Sequence, residues 1–170
     1  MAAQNRNRRV LYRKTGETMN FEDWLKQYGN IKVPELTQIG RSQFTNVEHS
    51  LLPKQPVFSG QLIALQKKDA WAPSVGFLQQ MAKNSKRHVV VDDKGEWMTI
   101  CGRDLFGTSI VSHNNPGMGE FVVILNKHKE AIGLGRAVSE MTGKNVVIQR
   151  LYDIGDLLRR TIRKPRNVFK

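Results

Sequence analysis

The sequence predicts an α+β fold, because segments with helical periodicity stand beside short apolar runs bounded by turn residues. One helical face has apolar residues at the i, i+3, i+4 and i+7 spacing, namely Phe21, Trp24, Leu25 and Tyr28. Further along, the apolar runs 121–125 and 131–134 flank the polar residues 126–129 and predict a β-hairpin in a small β domain. Gly133 and Gly135 lie in or just past the second run, where glycine marks a bulge or the close approach of another backbone.

The first predicted helix has boundary signals at both ends. Asn20 is a good N-cap, and Asp23 three residues later could form the reciprocal hydrogen bond of a capping box. Gly29 is placed to end the helix. The aromatic stripe on this helix is expected to pack on the body of the protein or on a partner, in preference to stacking on bases. Residues 30–56 contain three prolines and little periodicity, which predicts a linker or an irregular packing segment.

The middle of the chain predicts a strand, a helix and a two-stranded unit. An apolar strand is expected within 57–66, followed by a helix from Trp71 to Met81 or Ala82 with Pro73 in its first turn. Cations lie at its C-terminal end, namely Lys83, Lys86 and Arg87. A favourable interaction with the helix dipole and a role in RNA binding explain them equally well. Residues 88–92 predict a strand, and a turn over 92–95 is expected to lead into a second strand over 96–100.

The last part of the chain predicts a strand over 145–148 and then a helix that begins at Asp153. Its apolar face would consist of Ile154, Leu157, Leu158 and Ile162, and Pro165 should stop it.

The net charge of +12 is concentrated at the two ends of the sequence. Residues 1–14 hold five basic residues and no acid, and residues 158–170 hold six basic residues and no acid. Arginine outnumbers lysine there by eight to three. Its planar guanidinium can donate two hydrogen bonds to one phosphate, which favours phosphate binding. Such ends are expected to order on a polyanion, although aiding solubility or serving as a targeting signal is the alternative.

Several classes of chemistry have no sequence signature here. Cys101 is the only cysteine, the four histidines are scattered, and no phosphate loop, nucleophile elbow or Cys-x-x-Cys pair occurs. Catalysis by Asp92 and Asp93 is disfavoured because adjacent side chains point different ways. We therefore expect no enzyme activity, no catalytic residue, no cofactor and no metal. No secretory signal or membrane-spanning run is evident, so a cytoplasmic protein is expected.

The second half of the chain resembles the PUA domain, a small pseudobarrel that binds RNA. The motifs that carry the resemblance are Gly102-Arg103-Asp104-Leu105-Phe106, then Gly119-Glu120-x-Val122-Val123-x-Leu125-Asn126, then Glu130-Ala131-Ile132-Gly133-x-Gly135. The ending Asn145-Val146-Val147-Ile148 with Tyr152-Asp153-Ile154-Gly155-Asp156 is similar to the Nip-seven family of large-subunit assembly factors, in particular its archaeal members.

The resemblance implies four segments. These are a basic N-terminal extension (1–19), a small N-terminal α/β domain (20–85), a PUA domain (86–162) and a basic C-terminal tail (163–170). It also implies a non-catalytic rRNA-binding protein of ribosome biogenesis, with large-subunit RNA and neighbouring ribosomal proteins or assembly factors as partners and no membrane or small-molecule substrate. The alternatives are a permanent ribosomal protein of the archaeal large-subunit ribonucleoprotein and an accessory RNA-binding subunit of an RNA-modifying enzyme.

The residues predicted to contact RNA are basic residues of the two ends and of the PUA domain. They are Arg6, Arg8, Arg9, Arg13, Lys14, Arg103, Lys127, Arg136, Arg159, Arg160, Arg163, Lys164 and Arg166.

Overall fold

The computed structural model describes residues 19–33, 35–55, 59–67, 70–156 and 159. The described helices and strands are, in order, α1 (Phe21–Lys26), β1 (Leu36–Ile39), β2 (Ser42–Thr45), β3 (Gln61–Gln66), β4 (Trp71–Pro73), α2 (Val75–Asn84), β5 (His88–Val91), α3 (Asp93–Ile100), β6 (Leu105–Phe106), β7 (Ile110–His113), β8 (Phe121–Leu125), β9 (Ala131–Ala137) and β10 (Val146–Asp153). Two 3₁₀ helices, His49–Lys54 and Gly107–Ser109, complete the described elements.

Helix α1 forms as its capping residues predict. The Asn20 side chain accepts a hydrogen bond from the Asp23 backbone N–H at 2.7 Å, which satisfies one of the free donors at the helix start. The aromatic stripe packs on the body of the protein. Phe21 meets Trp71 edge to face with ring centroids 5.3 Å apart, and Tyr28 meets Phe121 at 5.6 Å.

Residues 30–56 are more regular than predicted, because β1, β2 and a 3₁₀ helix lie within them. Strands β1 to β4 form one antiparallel sheet in the order β1-β2-β3-β4. Ile39 pairs with Ser42, so that only Gly40 and Arg41 form the turn, and Gly40 has a φ of +58°. Strands β1 and β2 have four residues each, which is too short for a reliable alternation of apolar and polar residues, so the sequence did not predict them.

Helix α2 is present, but it begins two residues after Pro73. Pro73 ends β4, and the Ser74 hydroxyl caps α2 by accepting the Phe77 N–H at 3.2 Å. Val75, the first residue of α2, is 55% exposed although its spacing from Leu78 and Met81 would place it on their buried face. Trp71 belongs to β4, where its indole N–H donates to the Met19 carbonyl at 2.9 Å.

Six strands form the second sheet, in the order β6-β10-β9-β8-β5-β7, with β5 parallel to β8 and the other neighbours antiparallel. Its edge strands β6 and β7 are joined by residues 107–109 alone. Four Cα steps span at most about 14 Å, whereas six flat strands would separate the edges by about 24 Å. The sheet therefore curls until its edges approach each other, which gives the nearly closed pseudobarrel.

The hairpin β8–β9 confirms the predicted apolar runs and is buried on both faces. Val122, Ile124 and Ile132 pack inside the barrel, in a cluster that also includes Val147 and Ile148. Val123 and Leu134 point the other way, into a cluster that includes α1 and α2. One apolar cluster thus crosses the boundary proposed between residues 85 and 86, and that boundary stays a prediction.

The strand predicted over 96–100 is wrong, because Asp93–Ile100 form helix α3. The Asp92 carboxylate caps the helix by accepting the Gly95 N–H at 2.7 Å. Gly95 fits because a Cβ there would lie 2.8 Å from Val91 Cβ, so the helix packs tightly on β5. Packing of Met98 and Thr99 against the barrel overrides the strand propensity of residues 97–100.

The end of β10 also differs from the prediction. The strand continues to Asp153, which was expected to begin a helix, and a helical turn follows in which the Arg159 N–H donates to the Gly155 carbonyl at 3.0 Å. The expected apolar positions Leu157, Leu158 and Ile162 and the stop at Pro165 lie outside the described residues. Over the described ranges, no helix has the length and apolar character needed to span a membrane.

Candidate nucleic-acid interface

Helix α3, the loop after it and the β8–β9 turn meet at one end of the barrel, which we call the α3 end (residues 92–104 and 126–130). Asp93 of α3 pairs with Lys127 of the turn at 2.7 Å. The Asn126 amide donates to the Glu96 carboxylate at 3.2 Å and to the Glu130 carboxylate at 2.9 Å. These contacts fix the turn against the first half of the helix.

Asp153 is a fully buried carboxylate at the same end of the barrel, and two arginines hold it. Arg159 donates from Nη1 and Nη2 to the two carboxylate oxygens, each at 2.8 Å, while Arg150 donates to Oδ2 at 2.9 Å. Arg159 also donates to the carbonyl of Ile100 at the end of α3. The hydrogen bonds to Asp153, and then its charge, raise the pKa of Arg159.

Two glycines make room for the Arg159 guanidinium. Gly102 has a φ of +81°, and a Cβ there would lie 3.1 Å from Arg159 Cζ. A Cβ on Gly155 would lie 2.2 Å from the Ile100 carbonyl oxygen and 2.9 Å from Arg159 Nη1. Arg159 was predicted to contact RNA, but in the structure it ties the end of α3 to the end of β10.

The other predicted cations of the barrel fall into two places. Arg103 is exposed at the α3 end and forms no ion pair within the described part of the chain. Lys127 lies there too, and its hydrogen bond with Asp93 raises its pKa. Arg136 lies five residues along β9 from Ala131, about 16 Å away by strand rise. It is half-buried over the Phe121 ring at 5.8 Å and donates to the Gly119 carbonyl at 3.1 Å.

The remaining predicted RNA-binding residues lie outside the described residues. They are Arg6, Arg8, Arg9, Arg13, Lys14, Arg160, Arg163, Lys164 and Arg166.

The α3 end also contains surface residues that the sequence did not single out. Lys94 and Lys129 are exposed there, and neither forms an ion pair with any residue that the structure describes. Trp97 projects from the outer face of α3. The helical spacing of Asp93, Trp97 and Cys101 could have revealed this face had the segment been recognised as a helix.

The carboxylates of the α3 end interact with donor groups of the protein itself. Asp92 caps α3 and Asp93 binds Lys127. Asp104 accepts the backbone N–H of Arg150 at 2.8 Å. Asp92 and Asp93 therefore have separate structural roles, and Cys101 is the C-cap of α3 instead of the end of a strand. Among the described residues there is no cluster of three or more His, Cys, Asp or Glu side chains that could hold a metal ion.

The fold and this end of the barrel identify the class of domain that the chain contains. Residues 87–162 match the family model described as the UPF0113 PUA domain, which confirms the PUA resemblance for this part of the chain.

One similar protein is known from an archaeon. The chain is 28% identical over 85 residues to a "UPF0113 protein" of Archaeoglobus fulgidus, a match that covers 46% of this chain and 49% of the relative. The chain thus spans about half the length of that relative.

Two solved structures share the fold. A conserved PUA domain protein from Thermoplasma acidophilum is similar with a TM-score of 0.55 and 22% identity, over 82% of this chain and 91% of that one. A hypothetical protein from Pyrococcus horikoshii is similar with a TM-score of 0.50 and 15% identity, over 74% of this chain and 77% of the other.

Proposed function

We propose that this protein binds RNA at the α3 end of its PUA domain and catalyses no reaction. The observation that carries the proposal is the group of exposed cations Arg103, Lys94 and Lys129 within that domain. Cations without an acidic partner keep their donors free for phosphate oxygens, which contribute much of the affinity in protein–nucleic acid complexes.

The α3 end has four basic and five acidic residues, so its formal net charge is −1. The range 92–104 holds Asp92, Asp93, Glu96 and Asp104 against Lys94 and Arg103, and Glu130 stands beside Lys127 and Lys129 in the turn. A surface with this charge does not attract a polyanion by its overall field. Most of the phosphate affinity is therefore expected from the basic residues of 1–14 and 160–170.

Arg159 sets where the C-terminal basic segment starts. Its guanidinium is held between Asp153 and the end of α3, so the chain leaves this point beside the α3 end. Arg160, Arg163, Lys164 and Arg166 follow directly in the sequence. An RNA strand on the α3 end is thus within reach of these cations, which supports their predicted role.

The finer proposal is a Nip-seven-type factor that binds large-subunit rRNA during ribosome assembly in an archaeal cytoplasm. It is supported by the ending of the sequence around Asp153 and by the archaeal sources of the similar proteins. Sedimentation of an extract should place the protein in large-subunit precursor fractions. A protein that stays on mature subunits through a high-salt wash would instead be a permanent ribosomal protein.

The RNA site can be tested with matched charge reversals. Arg103→Glu with Lys129→Glu changes the α3 end, and Lys32→Glu with Arg41→Glu changes two exposed cations of the N-terminal segment by the same amount. The first pair should lower the slope of log K against log salt by about 1.5, and the second pair should leave it near the native value. Equal losses for the two pairs at every salt concentration would show that only the overall field matters.

Removal of the basic ends tests the other half of the proposal. If about half of the ten cations of residues 1–14 and 160–170 reach phosphates, a protein without these residues should lose roughly 4 units of salt slope. This truncation keeps Arg159 and its contacts with Asp153. An unchanged slope would refute the assignment of phosphate contacts to the two ends.

A further inference from the structure

Trp97 is exposed in a way that the other two tryptophans are not. It is 68% exposed, whereas Trp24 and Trp71 are 3% and 4% exposed. Both of the others lie in the apolar cluster between the two sheets. Tryptophan is largely buried on average in folded proteins, so an indole ring held in water at the α3 end calls for an explanation by function.

The ring stands on a rigid support. Gly95, Met98 and Thr99 bury the opposite side of α3 against the barrel. The Asp92 cap, the Asp93–Lys127 pair and the contact between Glu96 and Asn126 hold the first turn of the helix. A ring carried on such a helix loses little backbone entropy when it binds a ligand.

The surroundings of the ring combine charged and apolar residues. Its helical neighbours one turn away are Asp93 and Lys94 on one side and the half-buried Ile100 and Cys101 on the other. The Arg103 backbone N–H donates to the Met98 carbonyl at 2.9 Å, which places Arg103 just after the helix. The buried core of a protein–protein interface is more apolar than the surface around it, whereas a nucleic-acid base needs only one ring face, with cations nearby for its phosphates.

We propose that Trp97 stacks on an unpaired base of bound RNA, so that the α3 end selects single-stranded RNA over a closed duplex. The inference rests on the proposed function and names its substrate class. Lys94 lies one helical turn before Trp97 and Arg103 lies just after α3, and both are exposed and can bind phosphates. Arg160, Arg163, Lys164 and Arg166 follow Arg159 in the sequence, and Arg159 contacts the end of α3. Because the α3 end has no net positive charge, stacking supplies the contact that the local field does not.

Intrinsic fluorescence offers a direct test, since Trp97 is the exposed one of three tryptophans. The full chain is titrated with an oligo-adenylate of about 16 nucleotides, alone and annealed to oligo-uridylate. The single strand should quench the fluorescence and protect it from iodide, and the duplex should do neither.

Substitutions separate stacking from stability. Trp97→Ala should weaken binding of the single strand between about 5-fold and 150-fold, Trp97→Phe should keep most of the affinity, and neither should change the melting temperature. Met118→Ala is the matched control, because Met118 is 78% exposed and lies outside the α3 end.

The outcomes distinguish this inference from the proposed function. Native affinity in Trp97→Ala, combined with weak binding in Arg103→Glu, would overturn stacking and leave the RNA site in place. Equal quenching by duplex and single strand would overturn the preference for unpaired bases. A native protein that binds neither oligonucleotide would overturn both proposals, and a protein captured through Trp97 without RNA binding would assign the ring to a protein interface.

Discussion

Replacing Arg159 by alanine should destabilise the protein, even though the residue belongs to a basic segment predicted to contact RNA. The substitution removes two charge-assisted hydrogen bonds to Asp153 and one to the Ile100 carbonyl. Asp153 is fully buried in the native protein, and of its two arginine partners among the described residues the variant keeps Arg150, at 2.9 Å.

The size of the effect follows from burial on the two sides of the pair. Breaking a buried pair by removing one partner costs about 3–5 kcal/mol. The Arg159 side chain is 34% exposed and Arg150 still pairs with the carboxylate, so we expect about 2–3 kcal/mol after allowing for solvent screening. The melting temperature should then fall by about 4–12 °C.

Thermal melting followed by circular dichroism measures this loss, and Arg103→Ala is the matched control. Arg103 is an exposed arginine of the loop after α3, with no ion pair among the described residues, so its removal should change stability by less than about 0.5 kcal/mol. Arg159→Lys should fall between the two, since one ammonium cannot replace a two-pronged guanidinium.

RNA binding should rank the same variants in the opposite order. At a temperature where all remain folded, Arg103→Ala should lose more affinity than Arg159→Ala, because the Arg159 donors are already used within the protein. A native melting temperature for Arg159→Ala, together with a larger loss of RNA affinity, would refute the structural role assigned to the pair.

Four further predictions concern two glycines, one side-chain contact and one buried tyrosine. Gly133→Ala should destabilise by about 1–3 kcal/mol, since its Cβ would lie 2.6 Å from the Tyr152 carbonyl oxygen. Gly76→Ala in α2, whose nearest atom would be 3.9 Å away, should stabilise by up to about 1 kcal/mol in denaturant unfolding. Gln79→Ala should cost about 1–3 kcal/mol, because Gln79 forms two 2.9 Å hydrogen bonds with the Ala131 backbone; a loss below that range would show them to be dispensable. Burial raises the pKa of Tyr28 far above its ordinary 10.0, so above pH 10.0 the unfolded state loses a proton that the fold retains, and stability should fall as pH rises. A tyrosinate signal at 295 nm that appears before unfolding and is absent from Tyr28→Phe would contradict this.

Local signals were sufficient where one segment determines its own structure. Asn20 and the aromatic stripe predicted α1, and the two apolar runs predicted β8 and β9, because caps, turns and periodicity act within a few residues. Helix α3 was missed because residues 97–100 favour a strand in isolation. The Asp92 cap and the packing of Gly95, Met98 and Thr99 against the barrel decide for a helix.

The candidate site shows the same division between local and long-range information. The basic residues and their concentration at the two ends are properties of the sequence alone, and Arg103 was predicted as a candidate from its motif. The placement of Arg136 about 16 Å from the α3 end follows from strand rise and register. The use of Arg159 within the protein follows from its contact with Asp153, six residues earlier, and from its long-range contact with the Ile100 carbonyl at the end of α3.

The sequence by itself thus determined the composition of this protein, its charge distribution, its hairpin and its PUA-type motifs. The tertiary structure decided which cations remain available to a ligand and that Trp97 faces water. The physical reason is that the partner of a charge and the burial of a ring depend on residues distant in sequence. Curling of the sheet brings β10, α3 and the β8–β9 turn together, and the charges are paired or left exposed only when that has happened.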